Sequence, residues 1–506
     1  MWPAVYHAVS VQPPSTAPSA SEEPTSFSPD VTAGARSASA PGSRAGRALD
    51  RSIVEGPIAR AVWRIAWPTV LQNAIGGLQG IIDHAMVGHY VGYTANAAIG
   101  VSWQIFLVVI VFISSLFTGM GVLVARFAGA NDVDRVNRTV YQAFLTAIVL
   151  AVGIMAPLGY MLSPRLLDLV NATPAVQAEA LPFLRTMFLY SVGMLLFFML
   201  GGALRAAGDA RTPLRLGVCM TVLNIALNVV LITGPGPFPA LGTRGAALGT
   251  VIASGTVSAA ALWMILSGRL VIHFPRSMSW RPDWSIIRAL FRFGLPAGIQ
   301  GVAMNVAGVL LLRFIGALEH SAEAQAAYAV GYAELFSLIT WTSVGLMGAA
   351  AAVAGQNLGA GHPDRSERAV HIAARIGLGV AATIGALFLL IPDYLLAIFG
   401  LEDPVVVGIG RQLLRYLSVS GFFITVALTY TGGLQGTGDT RSPLYITLIS
   451  QVALPIGICA TLQHLEMLTS AGVWTAILVG HFTRCVLTVL RFHQGHWRRI
   501  AVDISH

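Results

Sequence analysis

Lysine is absent from this chain: all 31 basic residues are arginine, a bias read here as genome composition rather than mechanism. Charge of either sign is scarce. Charged residues make up 11% of the sequence, against roughly 25% in a soluble domain. With 55% hydrophobic residues and a mean hydropathy of +0.70, that deficit excludes an ordinary soluble globule and points to lipid as solvent. Cysteine is also rare. Cys219, Cys459 and Cys485 each sit in an apolar run, which excludes a disulfide framework and a zinc spacing. No Gly-Lys-Ser/Thr loop follows a strand, and no nucleophile, metal or cofactor constellation is present, so the sequence does not read as an enzyme. The net charge of +8 does not gather on a soluble face, which argues against a nucleic-acid partner.

What the chain has in quantity is long apolar runs. From Arg60 onward twelve can be counted, near 62–87, 97–125, 139–162, 181–204, 214–234, 245–267, 290–317, 328–354, 370–391, 412–434, 444–463 and 471–491. Each is long enough to cross a bilayer core of ~30 Å. Residues 1–55, rich in Ser, Ala, Pro and Gly, cannot bury enough surface to fold and are expected to form a disordered tail. No apolar core of a secretory signal lies within that tail.

The runs form a duplicated unit. Gly202–Leu214 returns as Gly432–Leu444 with seven of thirteen positions identical. The pairs Arg64–Pro68 with Arg292–Pro296, and Gly129–Arg135 with Gly359–Arg365, follow nearly the same offset. One long period means a duplication rather than a solenoid. Six spans per repeat start both halves on the same side, so the repeats are parallel, related by an axis along the membrane normal, as in transporters. The expected architecture is all-α and integral to the membrane, with twelve transmembrane helices in two six-helix bundles. The expected boundaries are 56–268 for the first bundle, 269–289 for a cytoplasmic linker, 290–492 for the second bundle and 493–506 for a cytoplasmic tail. Arginines crowd one side: Arg60, Arg64, Arg126, Arg135, Arg138, Arg205, Arg211, Arg276, Arg365 and Arg441 against Arg165 and Arg244. The asymmetry puts both termini in the cytoplasm.

Asp83 is the leading candidate for chemistry. An intramembrane carboxylate costs about 2.5–3.5 kcal/mol on insertion scales and marks an ion or proton path by default. Pro68, Gln72, Gly76, Gln79 and Asp83 step by four, four, three and four, one stripe of a helix. At 1.5 Å per residue, Asp83 lies about 28 Å from Arg64, in the outer half of the membrane. Pro68 permits a bend on the same face. Position 311, which matches Asp83 in the second half, is Leu, so coupling is assigned to the first half. Thr221, Asn224 and Asn228 share a face of the fifth run; their polar groups suit a carboxylate or a cation, or serve only to join helices. The two Gly-Asp-x-Arg loops read as turns in which Asp caps the next helix and pairs with Arg. Gln104, Gln300 and Asn305 are candidates for lining a substrate cavity. The roles of His84, Arg313 and Glu334 stay open. Buried arginines are expected to be few and terminal. Asn171-Ala-Thr173 is a glycosylation sequon by letters only.

Taken together, Glu55-Gly-Pro-Ile58, the Pro68-to-Asp83 spacing, Met86-Val-Gly-His89, Asn224-xxx-Asn228 and the paired Gly-Asp-x-Arg-x-Pro loops resemble the MATE (multidrug and toxic compound extrusion) transporters across roughly residues 55–492. The resemblance implies two six-helix bundles forming a V, and secondary active export of amphipathic, often cationic, small molecules in exchange for H+ or Na+, with no other cofactor. It implies a monomer in the plasma (inner) membrane. It places Asp83 at the family's cation and proton site, with Asn224 and Thr250 beside it. Asn228 stands where DinF-like members carry Asp, and Met304 where NorM-like members carry Glu, so the chain is closer to the DinF-like branch. The alternatives are a lipid-linked glycan flippase of the same superfamily, which would want cationic side chains in a central cavity, and a membrane protein that does not transport.

Overall fold

The computed structural model describes residues 49–502 except Ser114, Asn171, Gly236, Phe238 and Arg276. Most of the expected tail, residues 1–48, therefore lies outside the described residues, as do the sequon asparagine and Arg276. Every described element is helical, and no strand occurs among the described residues. The twelve spans are α1 (Ile58–Tyr90), α2 (Tyr93–Ile113 and Ser115–Gly129), α3 (Val133–Leu169), α4 (Pro174–Leu189 and Val192–Ala206), α5 (Arg211–Thr233), α6 (Gly242–Leu266), α7 (Trp284–Ile315), α8 (Ser321–Gly359), α9 (Pro363–Leu390), α10 (Pro404–Thr437), α11 (Arg441–His464) and α12 (Ser470–His493). The chain is a multi-pass, all-α membrane protein, with α1–α6 and α7–α12 as two parallel six-helix bundles.

Local chemistry sets the helix ends. Asp132, Asp283, Asp403, Thr173 and Thr469 accept hydrogen bonds from the first free backbone N–H groups of α3, α7, α10, α4 and α12, satisfying donors that have no partner within the helix. The duplicated loops behave alike. Asp209 accepts from the N–H groups of Arg211 and Thr212 at 3.1 and 3.0 Å, and Asp439 from that of Ser442 at 3.1 Å. Gly208 and Gly438 precede them at φ of 98° and 106°, a conformation that favours glycine. The expected pairing with the motif's own arginine is corrected. Asp439 instead accepts from Arg491 Nε of α12 at 3.1 Å, and the Ser442 N–H and hydroxyl of the turn donate to its two oxygens. The fourth span is broken at Tyr190–Ser191 by a 53° bend.

The halves meet at the arginine-rich end, which also holds the described termini. A Cβ on Gly129 would lie 1.9 Å from the Gln356 carbonyl oxygen, and one on Gly359 would lie 2.1 Å from that of Arg126. These positions are repeats of each other, and the contact is made in both directions. These contacts join α2 to α8, and Gly119 against Leu290 and Gly294 against Ser115 pack α2 as closely on α7. Residues 49–55, expected in the tail, are part of this seam. Ser52–Glu55 forms a helical turn in which Ile53 is buried, and Asn357 Nδ2 donates to the Ile53 carbonyl at 3.3 Å. Two apolar side chains, Ile53 and Val54, supply the burial that the preceding composition lacks. At the other terminus Trp497 is buried and stacks on Phe492 at 5.0 Å.

Candidate functional site

The stripe read on α1 faces a cavity of about 510 Å³ inside the first half. Its polar wall is Gln72, Gln79 and Asp83 of α1, Thr221 and Asn224 of α5, and Thr250 of α6. Its apolar wall is large and soft: Trp103 of α2, and Phe183, Met187, Met194, Phe197 and Phe198 of α4. Among the described lining residues only Trp341 belongs to the second half. Gly76, Gly77 and Gly80 meet nothing where a Cβ would stand, so the α1 wall stays low and the cavity wide. Aromatic and methionine side chains present adaptable apolar area to a ligand.

Asp83 is tied to α5. Asn228, which is fully buried, donates from Nδ2 to Asp83 Oδ1 at 2.8 Å. The Asn224 amide assignment that satisfies its neighbours puts its nitrogen 3.1 Å from the same Asp83 oxygen and its oxygen 3.2 Å from both Thr250 Oγ1 and Thr250 N. Asn228 Oδ1 is buried with no partner. It lies against Gly249 of α6, where a Cβ would come within 2.0 Å. Two amide nitrogens of α5 therefore converge on the α1 carboxylate, and Thr250 of α6 holds one of those amides from behind. The carboxylate is the group here that can take a proton or an alkali cation. Further along the stripe Thr221 donates to Gln79 Oε1 at 2.8 Å, and Arg205 of α4 donates to Gln72 Oε1 at 3.0 Å.

Other expected residues fall elsewhere. Pro68 lies within the single helix α1, whose Arg64 carbonyl it leaves without the usual N–H partner. His84 turns to α2, with Nδ1 2.6 Å from Asn96 Oδ1, although its side chain also borders the cavity. Gln104, Gln300 and Asn305 do not line the cavity. Gln104 and Asn305 are exposed, and Asn305 donates to the Gly301 carbonyl. Gln300 is buried between Thr447 and Gln435 of the second half, at 2.8 and 3.3 Å. A one-sided polar residue on an apolar helix carries no label for cavity or seam. The expectation that buried arginines are terminal is corrected by Arg484, 2% exposed in the interior of α12. Its signal in the sequence was a charge within an otherwise apolar run. A second hollow of about 400 Å³ lies at the arginine-rich end between Asp50, Arg64, Asp209 and Arg211. It is ringed by capping and ion-paired groups, where Arg64 pairs with Asp50 and donates to Ser52 Oγ at 2.9 Å.

Comparison with known proteins agrees with this architecture. The MatE family profile matches residues 68–230 and 296–461, one match in each half. The chain is 28% identical over 449 residues to a probable multidrug resistance protein NorM from Thermotoga maritima, covering 88% of this chain and 94% of the relative. It is 25% identical to the multidrug resistance protein MdtK from Pectobacterium atrosepticum, covering 86% and 94%. Among solved structures, a MOP-superfamily transporter from Pyrococcus furiosus superposes with a TM-score of 0.82 at 20% identity, covering 90% of this chain and all of that one. An outward-facing multidrug resistance MATE transporter superposes equally well, also at 0.82 and 20% identity with the same coverage. With more than half of its residues under the family profile, the chain belongs to the MatE family and is a membrane transporter, not an enzyme.

Proposed function

We propose that the protein exports amphipathic, cationic small molecules across the plasma membrane by antiport against H+ or Na+, as a monomer with both termini in the cytoplasm. The observation that carries this reading is Asp83, an intramembrane carboxylate held by Asn228 at 2.8 Å on the wall of a 510 Å³ cavity lined with aromatic residues and methionine. The carboxylate offers one negative charge to either an ion or a cationic cargo, and competition between the two for one charge is the simplest basis of exchange. The similarity to multidrug resistance proteins supports the cargo class. Pro68 supplies the flexible point by which occupancy of Asp83 is transmitted along α1. Asp83, Asn224, Asn228 and Thr250 are assigned to the ion; Gln72 and Gln79 keep the helix face polar between Pro68 and Asp83.

The test is ethidium transport in proteoliposomes of the purified protein, with proton and sodium gradients imposed separately. Gradient-driven uptake into inverted vesicles under at least one gradient is expected. Ethidium flux that ignores both gradients sinks the antiport reading.

A further inference from the structure

The second half carries a polar face that the transport reading does not use. On α12, Trp474, His481, Arg484 and Thr488 are spaced by seven, three and four residues, which puts them on one side of the helix. All four are at most 2% exposed. Trp474 Nε1, His481 Nδ1 and Thr488 Oγ1 have no hydrogen-bond partner. Among the described residues the only polar contact of Arg484 is a long N–H···S approach to Met304 of α7, at 4.0 Å, and no carboxylate pairs with it. Polar groups buried this deeply are for the most part hydrogen-bonded. A buried guanidinium stays charged, and without a compensating anion it is among the most costly groups a protein can enclose.

Aromatic rings of α8 pack against this face. Tyr332 and Phe336 of α8 stack on the His481 ring at 6.5 and 5.7 Å between ring centres. There α8 widens over Ala329–Leu335, with the Phe336 N–H reaching back five residues to the Gly331 carbonyl at 3.0 Å. Widened turns of this kind are common at functional sites.

We propose that this face of α12 is an anion site that takes a carboxylate or a halide. The indole and the guanidinium can only donate, and the hydroxyl and imidazole can donate as well, so the lining selects an acceptor. The fixed positive charge selects an anion. The site is separate from Asp83, of opposite sign, and in the other half of the duplication. The ligand arrives either as a free ion or as the carboxylate of a transported compound.

Thermal unfolding of the purified full-length protein in detergent tests this, with sodium chloride and sodium acetate as probes against Arg484→Met and Met304→Glu. Wild type is expected to show a saturable rise in Tm of a few degrees, because a ligand that binds only the folded state stabilises it. Arg484→Met removes the charge, and Met304→Glu supplies an internal carboxylate at a side chain whose sulfur lies 4.0 Å from Arg484. Both variants should lose the saturable rise and melt above wild type in low salt. Met304 is 38% exposed, so its replacement does not alter a closed core position. Rhodamine 110 and its methyl ester rhodamine 123 separate the sources. A rise with rhodamine 110 but not with the ester identifies a cargo carboxylate; a rise with chloride alone identifies a free halide. Equal salt responses in wild type and both variants overturn the site. Loss of gradient-driven transport elsewhere leaves this readout unchanged, so failure of the antiport reading and failure of the anion site are told apart.

Discussion

Asn228 donates to Asp83 at 2.8 Å, a single hydrogen bond between residues 145 positions apart that joins α1 to α5 inside the first bundle. Asn228 can reach because Gly249 of α6 has no side chain at its back. Three helices thus set the position of one carboxylate, and each offers a separate handle on it.

The charge of Asp83 is the first handle. Asp83→Asn keeps the shape and removes the ionisable group, so gradient-driven ethidium transport should fall to background while expression and Tm stay near wild type. Transport by the variant at the wild-type rate in proteoliposomes would remove Asp83 from the mechanism.

Gly249 is the second. Gly249→Ala places a methyl 2.0 Å from Asn228 Oδ1, which pushes the amide off Asp83 and overpacks a buried seam at a cost of about 1–3 kcal/mol. Transport should drop with it. Gly255→Ala on the same helix, where nothing lies within 4 Å of the added carbon, should be close to neutral in both melting and transport. Equal effects of the two substitutions would show that Asn228 does not position the carboxylate.

Topology is open to chemical labelling. In a background with Cys219, Cys459 and Cys485 replaced, Val170→Cys should react with an impermeant maleimide from outside intact cells, and Asp364→Cys only after permeabilisation. Val170 is 48% exposed and the Asp364 side chain 80%, so both thiols are reachable. Labelling of both from one side would contradict the arginine-based orientation.

Asp50 gives a pH signature outside the membrane. Burial works to raise its carboxyl, but hydrogen bonds from Ser52 and the Arg64 guanidinium outweigh it and hold it below its ordinary value. The folded protein therefore binds this proton less readily than the unfolded chain. The stability Asp50 lends is present above the ordinary carboxylate range and is lost as pH falls through the folded value. Asp50→Asn should flatten the acid limb of a Tm–pH curve and cost no more than about 1 kcal/mol near neutrality, since the pair is partly exposed. An unchanged acid limb would mean that Arg64 is held by Ser52 alone.

The sequence showed the duplication and the twelve apolar runs plainly, because a span must be long and apolar whatever it packs against. The polar stripe from Pro68 to Asp83 was legible because polar residues in a membrane helix are few and their phase can be counted. The apolar wall of the same cavity was not. Trp103, Phe183 and Phe198 are the same residue types whether they face lipid or lumen, so nothing in their spacing separates the two. Arg205 and Arg484 failed for a related reason. Arg205 was counted among the arginines of the cytoplasmic side, yet it turns inward to Gln72, and Arg484 was hidden by treating its run as apolar.

Gly129 against Gln356 and Gly359 against Arg126 are one contact made twice, each half giving one groove and one ridge. Neither bundle is free to drift alone at these positions. A larger residue accepted at 129 would have to be answered by a shifted backbone at 356, in the other copy of the repeat. The pairing also couples the two contacts in motion. Rotation of one bundle about the shared axis loosens both together, so this end of the molecule parts as a unit rather than unzipping from one edge.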